Sequence, residues 1–142
     1  MEKIAVVYWS GSGNTQKMAE AVLAGLQSEQ KDAVIFQAAE FPAELAETFD
    51  GFAFGCSAMG AEELEESEFL PVFEKLEPLL KGKPVVLFGS YGWGDGEWMK
   101  NWEERIQQDG ALLFTDGLMV HEAPDAKALE KCREFGRAFA KN

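Results

Sequence analysis

The sequence predicts a three-layer α/β/α sandwich built on a five-stranded parallel sheet. Runs rich in Val, Ile, Leu and Phe lack the period-2 alternation of half-exposed strands, as strands buried on both faces do. Between them lie segments whose apolar residues recur three and four positions apart, each giving one apolar stripe. Strands alternating with amphipathic helices imply right-handed crossovers and a parallel sheet covered on both faces.

The elements follow in order. "KIAVVY" is the first strand, and the helix after it carries Met18, Val22, Leu23 and Leu26 on one face. "AVIFQ" is the second strand. The segment "AAEFPAELAETFD" is broken by Pro42 and allows only a short helix. "GFAFGC" is the third strand, followed by a helical stripe of Phe69, Val72, Phe73 and Leu76. "PVVLFGS" is the fourth, followed by Trp98, Met99, Trp102 and Ile106. A fifth run, "ALLFTDGLMV", is interrupted at Asp116 and Gly117 by a bulge or break, and the last helix carries Leu129, Cys132, Phe135 and Phe139. No linker, repeat or low-complexity tract divides the chain, so residues 1–142 read as one domain with one sizeable core.

Charge narrows the function. Thirteen Lys and Arg stand against twenty-five Asp and Glu, a formal net charge of -12. Such a chain repels nucleic acid and anionic membranes and attracts basic protein surfaces. Cys56 and Cys132 lie far apart, and neither a charged-then-apolar leader nor a run of spanning length is present, so a reduced, soluble, cytoplasmic protein is expected.

In a parallel sheet the ligand sits beyond the carboxyl ends of the strands, at the point where strand order reverses. The relevant loops are "SGSGNT", "SAMGAEELEE" and "YGWGDGEW". The first leaves a buried strand and enters a helix at about Asn14 or Thr15, where backbone N–H groups and the positive helix end converge. Gly11 and Gly13 allow close approach, while Ser10, Ser12, Asn14 and Thr15 add hydrogen-bonding side chains suited to a terminal phosphate. Asn14-Thr15-Gln16 stands where a Walker loop needs Gly-Lys-Ser/Thr, and Gln16 where a dinucleotide fingerprint needs a small residue. On its own the loop also reads as a plain turn with a Ser or Asn cap. Trp93, flanked by Gly92 and Gly94, has little local bulk to pack against and wants a flat partner, whereas Trp98 and Trp102 share a helix face. Met59 fits either a core gap or a ligand flank.

Together "SGSGNT", "CSAMGAEELEE" and "FGSYGWGDGEWM" resemble the loops of the flavodoxins, in particular the short-chain flavodoxins of anaerobic bacteria, and the likeness runs along the whole chain. The resemblance implies a sheet of order 2-1-3-4-5. It also implies one non-covalently bound FMN that carries single low-potential electrons, passing among oxidised, semiquinone and hydroquinone states. By position, it assigns the phosphate to the loop Ser10, Gly11, Ser12, Gly13, Asn14 and Thr15 together with Ser57. Met59 and Trp93 flank the flavin ring, with Trp93 on the outer side, and Ala58 and Gly60 belong to the same inner loop. Glu62 accepts from the ring N3–H, backbone groups around Tyr91, Gly92 and Gly94 hold the pyrimidine edge, and Ser90 lies near the ribityl or phosphate end. The turn at Gly60 is the peptide that the family's mechanism re-aims toward flavin N5. His121 and Glu122 replace a more usual amide-bearing stretch near the flavin edge, and no cofactor contact is assigned to them.

The implied partners are redox proteins such as reductases, docking through basic surfaces on a monomeric carrier without substrate turnover of its own. Glu62, Glu63, Glu65, Glu66 and Glu68 form an acidic run that reads both as a solvated helix start and as a field opposing negative charge on the cofactor. Rival classes fail on residues. A receiver domain needs an acidic pair where Trp9-Ser10 stands and an Asp where Cys56 stands, and a Cys-and-Arg phosphatase needs an Arg that follows neither cysteine at the required interval. The lone His121 removes most His-based catalysis and multi-histidine metal sites. The runner-up is a small flavin-dependent quinone or nitro reductase, for whose substrate pocket the chain is short.

Overall fold

The computed structural model describes residues 1–142. In chain order the elements are β1 (Lys3–Trp9), α1 (Asn14–Ser28), β2 (Asp32–Gln37), β3 (Gly51–Cys56), α2 (Phe69–Leu76), β4 (Pro84–Tyr91), α3 (Glu97–Gln108), β5 (Leu112–Leu113), β6 (Leu118–His121) and α4 (Ala126–Ala140). Short 3-10 turns at Ala38–Glu40 and Ala43–Thr48 flank Pro42, so the Pro-broken segment forms no full helix.

All pairings are parallel, in the order β2-β1-β3-β4-β5, with β6 also pairing with β4. The fifth position is thus filled by two pieces, and the break lies where Asp116 and Gly117 interrupt the pattern. Leu113 pairs with Val85 and Leu118 with Phe88, so this edge uses two residues more than β4 over the same span. The extra residues are held against α3, because the Gly117 N–H donates to Glu103 Oε2 at 2.6 Å.

Alternate residues of β1 serve different cores, which explains why its sequence is continuously apolar. Ala5 and Val7 face a core built with α2 and α3, while Ile4, Val6 and Tyr8 face one built with α1 and α4. The first core is aromatic: Phe52 and Phe54, two apart on β3, stack at 5.2 Å, and Phe69, Phe73 and Trp102 meet edge to face around them. In the second, α1 and α4 touch backbone to backbone. A Cβ on Gly25 would lie 2.1 Å from the Arg133 carbonyl oxygen, and one on Gly136 would lie 2.3 Å from that of Val22. Any side chain at either position forces the helices apart.

A partly buried acid closes the far end of α3. Arg105 grips Glu77 through two bonds, Nε to Oε2 at 2.7 Å and Nη2 to Oε1 at 2.6 Å. Asp109 Oδ2 beside them is buried with nothing to serve it. Burial first, then the adjoining Glu77 carboxylate, push the Asp109 carboxyl up to about 6, against the pull of Arg105. The folded chain therefore holds this proton above the carboxyl's ordinary value of 3.8. For this group, stability falls as pH rises from about 4 toward about 6. Asp109→Asn is expected to remove that slope and stabilise the chain at neutral pH, measured by urea unfolding over this pH range. Identical pH profiles for the two proteins would contradict this.

Candidate functional site

Four loops meet at the carboxyl edge of the sheet, after β1, β3, β4 and β6, and one hydrogen-bonded set stitches them together. The Thr15 hydroxyl, fully buried, accepts from the Ser90 N–H at 3.1 Å and lies 2.7 Å from Ser57 Oγ. The Ala58 N–H donates to the Ser90 carbonyl at 3.1 Å, and Ser90 Oγ donates to the Glu122 carbonyl at 2.8 Å. Thr15 and Ser90 thereby fix the loops relative to one another. Ser10 is also inward-looking, its Oγ accepting from the Gly13 N–H at 3.0 Å.

The N-terminus of α1 differs from the other three. Asp125 caps α4 by accepting from the Ala128 N–H. Glu62 Oε1 accepts from the Gly96 and Glu97 N–H groups at the start of α3, at 3.1 and 3.0 Å. Glu65 accepts from the N–H groups of Ser67, Glu68 and Phe69 at the start of α2, and from the Ser67 hydroxyl. At α1 the cap position is Gly13, with φ 97, no side-chain cap bond and no acid in the first turn. The N–H groups of Gly11, Ser12, Asn14, Thr15 and Gln16 have no acceptor in the chain. Five free donors at a positive helix end make a cradle for an anion carried by a ligand.

That cradle opens onto a cleft of about 390 Å³. Of the residues expected from sequence, Gly11, Ser12, Asn14, Ser57, Ala58, Met59, Ser90, Tyr91 and Gly92 line it. Trp9, which was not singled out, and Glu122, to which no contact was assigned, line it too. Trp9 reads as an ordinary strand-end aromatic, and only its position beside Ser10 hinted at the site. Met59 stands on one rim, 40% exposed, and Trp93 is 65% exposed on its loop. Neither packs into a core, whereas Trp98 and Trp102 do. An anion cradle opening onto a cleft lined by Trp9, Tyr91 and the Met59 thioether suits a phosphorylated planar ligand; Trp93 is not among the lining residues, and no basic side chain lines the cleft.

Comparison with known proteins gives the family and the fold. The family model "Flavodoxin" matches residues 6–136. A flavodoxin of Clostridium beijerinckii is 44% identical over 135 residues, covering 95% of this chain and 97% of the relative. The solution structure of two-electron reduced Megasphaera elsdenii flavodoxin superposes with a TM-score of 0.87 at 42% identity, covering 98% of this chain and 99% of that one. Oxidised flavodoxin 1 from Bacillus cereus superposes at 0.89 with 27% identity, covering 99% of each chain. The chain belongs to the flavodoxin family. Members are FMN-binding electron carriers rather than enzymes.

Against the flavodoxin pattern, several residues take more specific places. Gly60 has φ 51 inside a tight hairpin closed by the reciprocal bonds Met59 N–H to the Glu63 carbonyl (2.9 Å) and Glu63 N–H to the Met59 carbonyl (2.8 Å). Its left-handed backbone suits glycine and little else. Glu62, at φ 56 in the same turn, uses Oε1 on α3, so only Oε2 remains for a ligand. Gly94 sits against that carboxylate, where a Cβ would come within 2.5 Å of it. Cys56, at the end of β3, is packed, and burial pushes its thiol up to about 12, far from the range of a reactive thiolate.

One expectation about the acidic run needs correction. Glu65 is not a solvated residue of a helix start, because it is nearly buried and serves as the cap of α2. Burial raises its carboxyl, yet the bonds from Ser67, Phe69 and Glu68 outweigh burial and hold it below the usual range. Glu68 is likewise engaged, accepting from Trp9 Nε1 at 2.9 Å and tying the first loop to α2. Glu65→Ala is expected to lose about 1–2 kcal/mol in chemical unfolding at neutral pH. The part due to its charge is present above the ordinary carboxyl range and vanishes as pH falls through the lower folded value. A variant as stable as the parent would remove the capping role.

Proposed function

We propose that residues 1–142 act as one FMN-binding domain of a monomeric, cytoplasmic, low-potential one-electron carrier that docks basic partner proteins. The observation that carries the reading is the uncapped start of α1, where the donors of Gly11, Ser12, Asn14, Thr15 and Gln16 converge beside the cleft. They hold the FMN phosphate, with the Ser12, Asn14 and Ser57 side chains adding contacts from the cleft wall. The Thr15 hydroxyl fixes the loops and contributes through its backbone. Met59 and Trp93 flank the ring. The free N–H groups of Gly92, Trp93 and Gly94, together with Glu62 Oε2, meet its pyrimidine edge.

FMN, when bound, supplies the one-electron redox chemistry. The chain supplies the charge environment, in which acids alone oppose negative charge arriving in the cleft. One carboxylate about 12 Å away at an effective dielectric of about 20 contributes roughly 1.4 kcal/mol, or about 60 mV for one electron. The absence of any lining Lys or Arg leaves this uncompensated and supports a low potential. The net charge of -12 likewise supports basic partners. No helix is long and apolar enough to cross a membrane.

Titrating the apoprotein with FMN and with riboflavin tests the cradle. FMN is expected to bind far more tightly, with Ser12→Ala eroding the difference, and equal affinities would overturn the phosphate assignment. For docking, a Glu63→Gln, Glu66→Gln double variant is expected to slow electron delivery to a basic reductase at low salt and to match the parent at high salt. A parent rate indifferent to salt would argue against an acidic docking face.

A further inference from the structure

The loop that carries Trp93 is rich in glycine and lightly held. Gly92, Gly94 and Gly96 give it wide backbone freedom, with φ 89 at Gly94 and 96 at Gly96. The N–H groups of Gly92, Trp93, Gly94 and Asp95 make no bond within the chain. At its far end the loop is tied by Glu62 to Gly96 and Glu97. At its near end the side-chain tie comes from His121, the residue for which the family pattern gave no role. His121 Nε2 lies 3.1 Å from the Gly92 carbonyl oxygen. A carbonyl only accepts, so Nε2 donates in this bond.

We propose that His121 is a positioning residue for the flavin ring, acting through the Gly92 carbonyl to hold the Trp93 loop in its binding geometry. The proposal rests on the FMN reading and adds a residue to it. Its first support is the anchoring of His121 itself. The Glu122 N–H donates to the Tyr91 carbonyl at 2.7 Å, Ser90 Oγ donates to the Glu122 carbonyl, and the His121 ring packs on Tyr91 with centroids 5.1 Å apart. The loop after β6 is therefore zipped to the end of β4, and the imidazole is held where it can fix the next peptide. The second support is the peptide geometry. Every peptide bond in the chain is trans, so with the Gly92 carbonyl turned to His121 the Trp93 N–H points the opposite way. Fixing one carbonyl thus sets both the direction of a free donor and the start of the Trp93 side chain.

A tether of this kind lowers the ordering cost of binding, so it acts mainly on dissociation. The imidazole is 56% exposed, which limits its effect to that of one modest hydrogen bond. The test is reconstitution of the apoprotein with FMN and, separately, with riboflavin, following flavin fluorescence for affinity and release rate. His121→Ala is expected to release either flavin on the order of five-fold faster. The preference for FMN over riboflavin stays at the parent's value, because the tether acts at the ring end and not at the phosphate. His121→Gln, which offers an N–H near the place of Nε2, is expected to recover most of the loss. Iodide is expected to quench the exposed Trp93 of the His121→Ala apoprotein more than that of the parent.

Release rates unchanged in His121→Ala would overturn the proposal. So would a loss confined to FMN, or a Gln variant no better than Ala. A parent chain that bound neither flavin would instead sink the FMN reading itself, an outcome distinct from failure of the tether.

Discussion

The ligand edge of this protein depends on the buried hydroxyl of Thr15. It takes the Ser90 N–H from the end of β4 and meets Ser57 from the loop after β3, while its own backbone forms the first turn of α1. A polar group in so dry a place must be satisfied, and here its satisfaction requires three loops to be in register at once. Ser90 passes the constraint to Glu122 and so to the loop after β6. The cleft is therefore a consequence of strand ends locked together.

The acidic residues divide into two kinds that composition does not distinguish. Glu62, Glu65 and Asp125 each satisfy backbone donors at the start of a helix, so part of their charge is absorbed by the N-terminal dipoles. The Glu63 and Glu66 side chains cap no helix, and Glu122 lines the cleft without capping one, so their charge is not absorbed in this way. The same contrast marks the α1 terminus, which is left open where its three counterparts are capped from within the chain. A helix end with five unserved donors is costly unless a ligand or water fills it.

The fifth position of the sheet shows how an irregularity places a functional loop. β5 follows β4 for two residues, and the chain then loops out against α3. It returns as β6 to pair with Phe88 through Tyr91, at the ligand end of β4. Because β6 reaches Tyr91, His121 and Glu122 arrive beside Ser90 and Gly92. The break at Asp116 and Gly117 was visible in the sequence, but its purpose is legible only once the second piece is seen to carry the chain to the cleft.

By itself the sequence determined the alternation of strands and helices, because apolar periodicity reports directly which faces must leave water. It also marked the three loops at the carboxyl ends of the strands, whose joint pattern resembles the flavodoxins although the first loop alone reads equally as a plain turn, and it made Trp93 an exposed aromatic through its two glycine neighbours. Only the tertiary structure decided which acids cap helices, since Glu62 and Glu65 bond to amides whose nearness depends on how the loops fold back. It decided that Gly25 and Gly136 mark a backbone contact between α1 and α4, whose partners lie more than a hundred residues apart. It also brought Trp9, His121 and Glu122 to the site. Their roles follow from distances across the sheet, and nothing in the local residue pattern encodes a distance between segments so far apart in the chain.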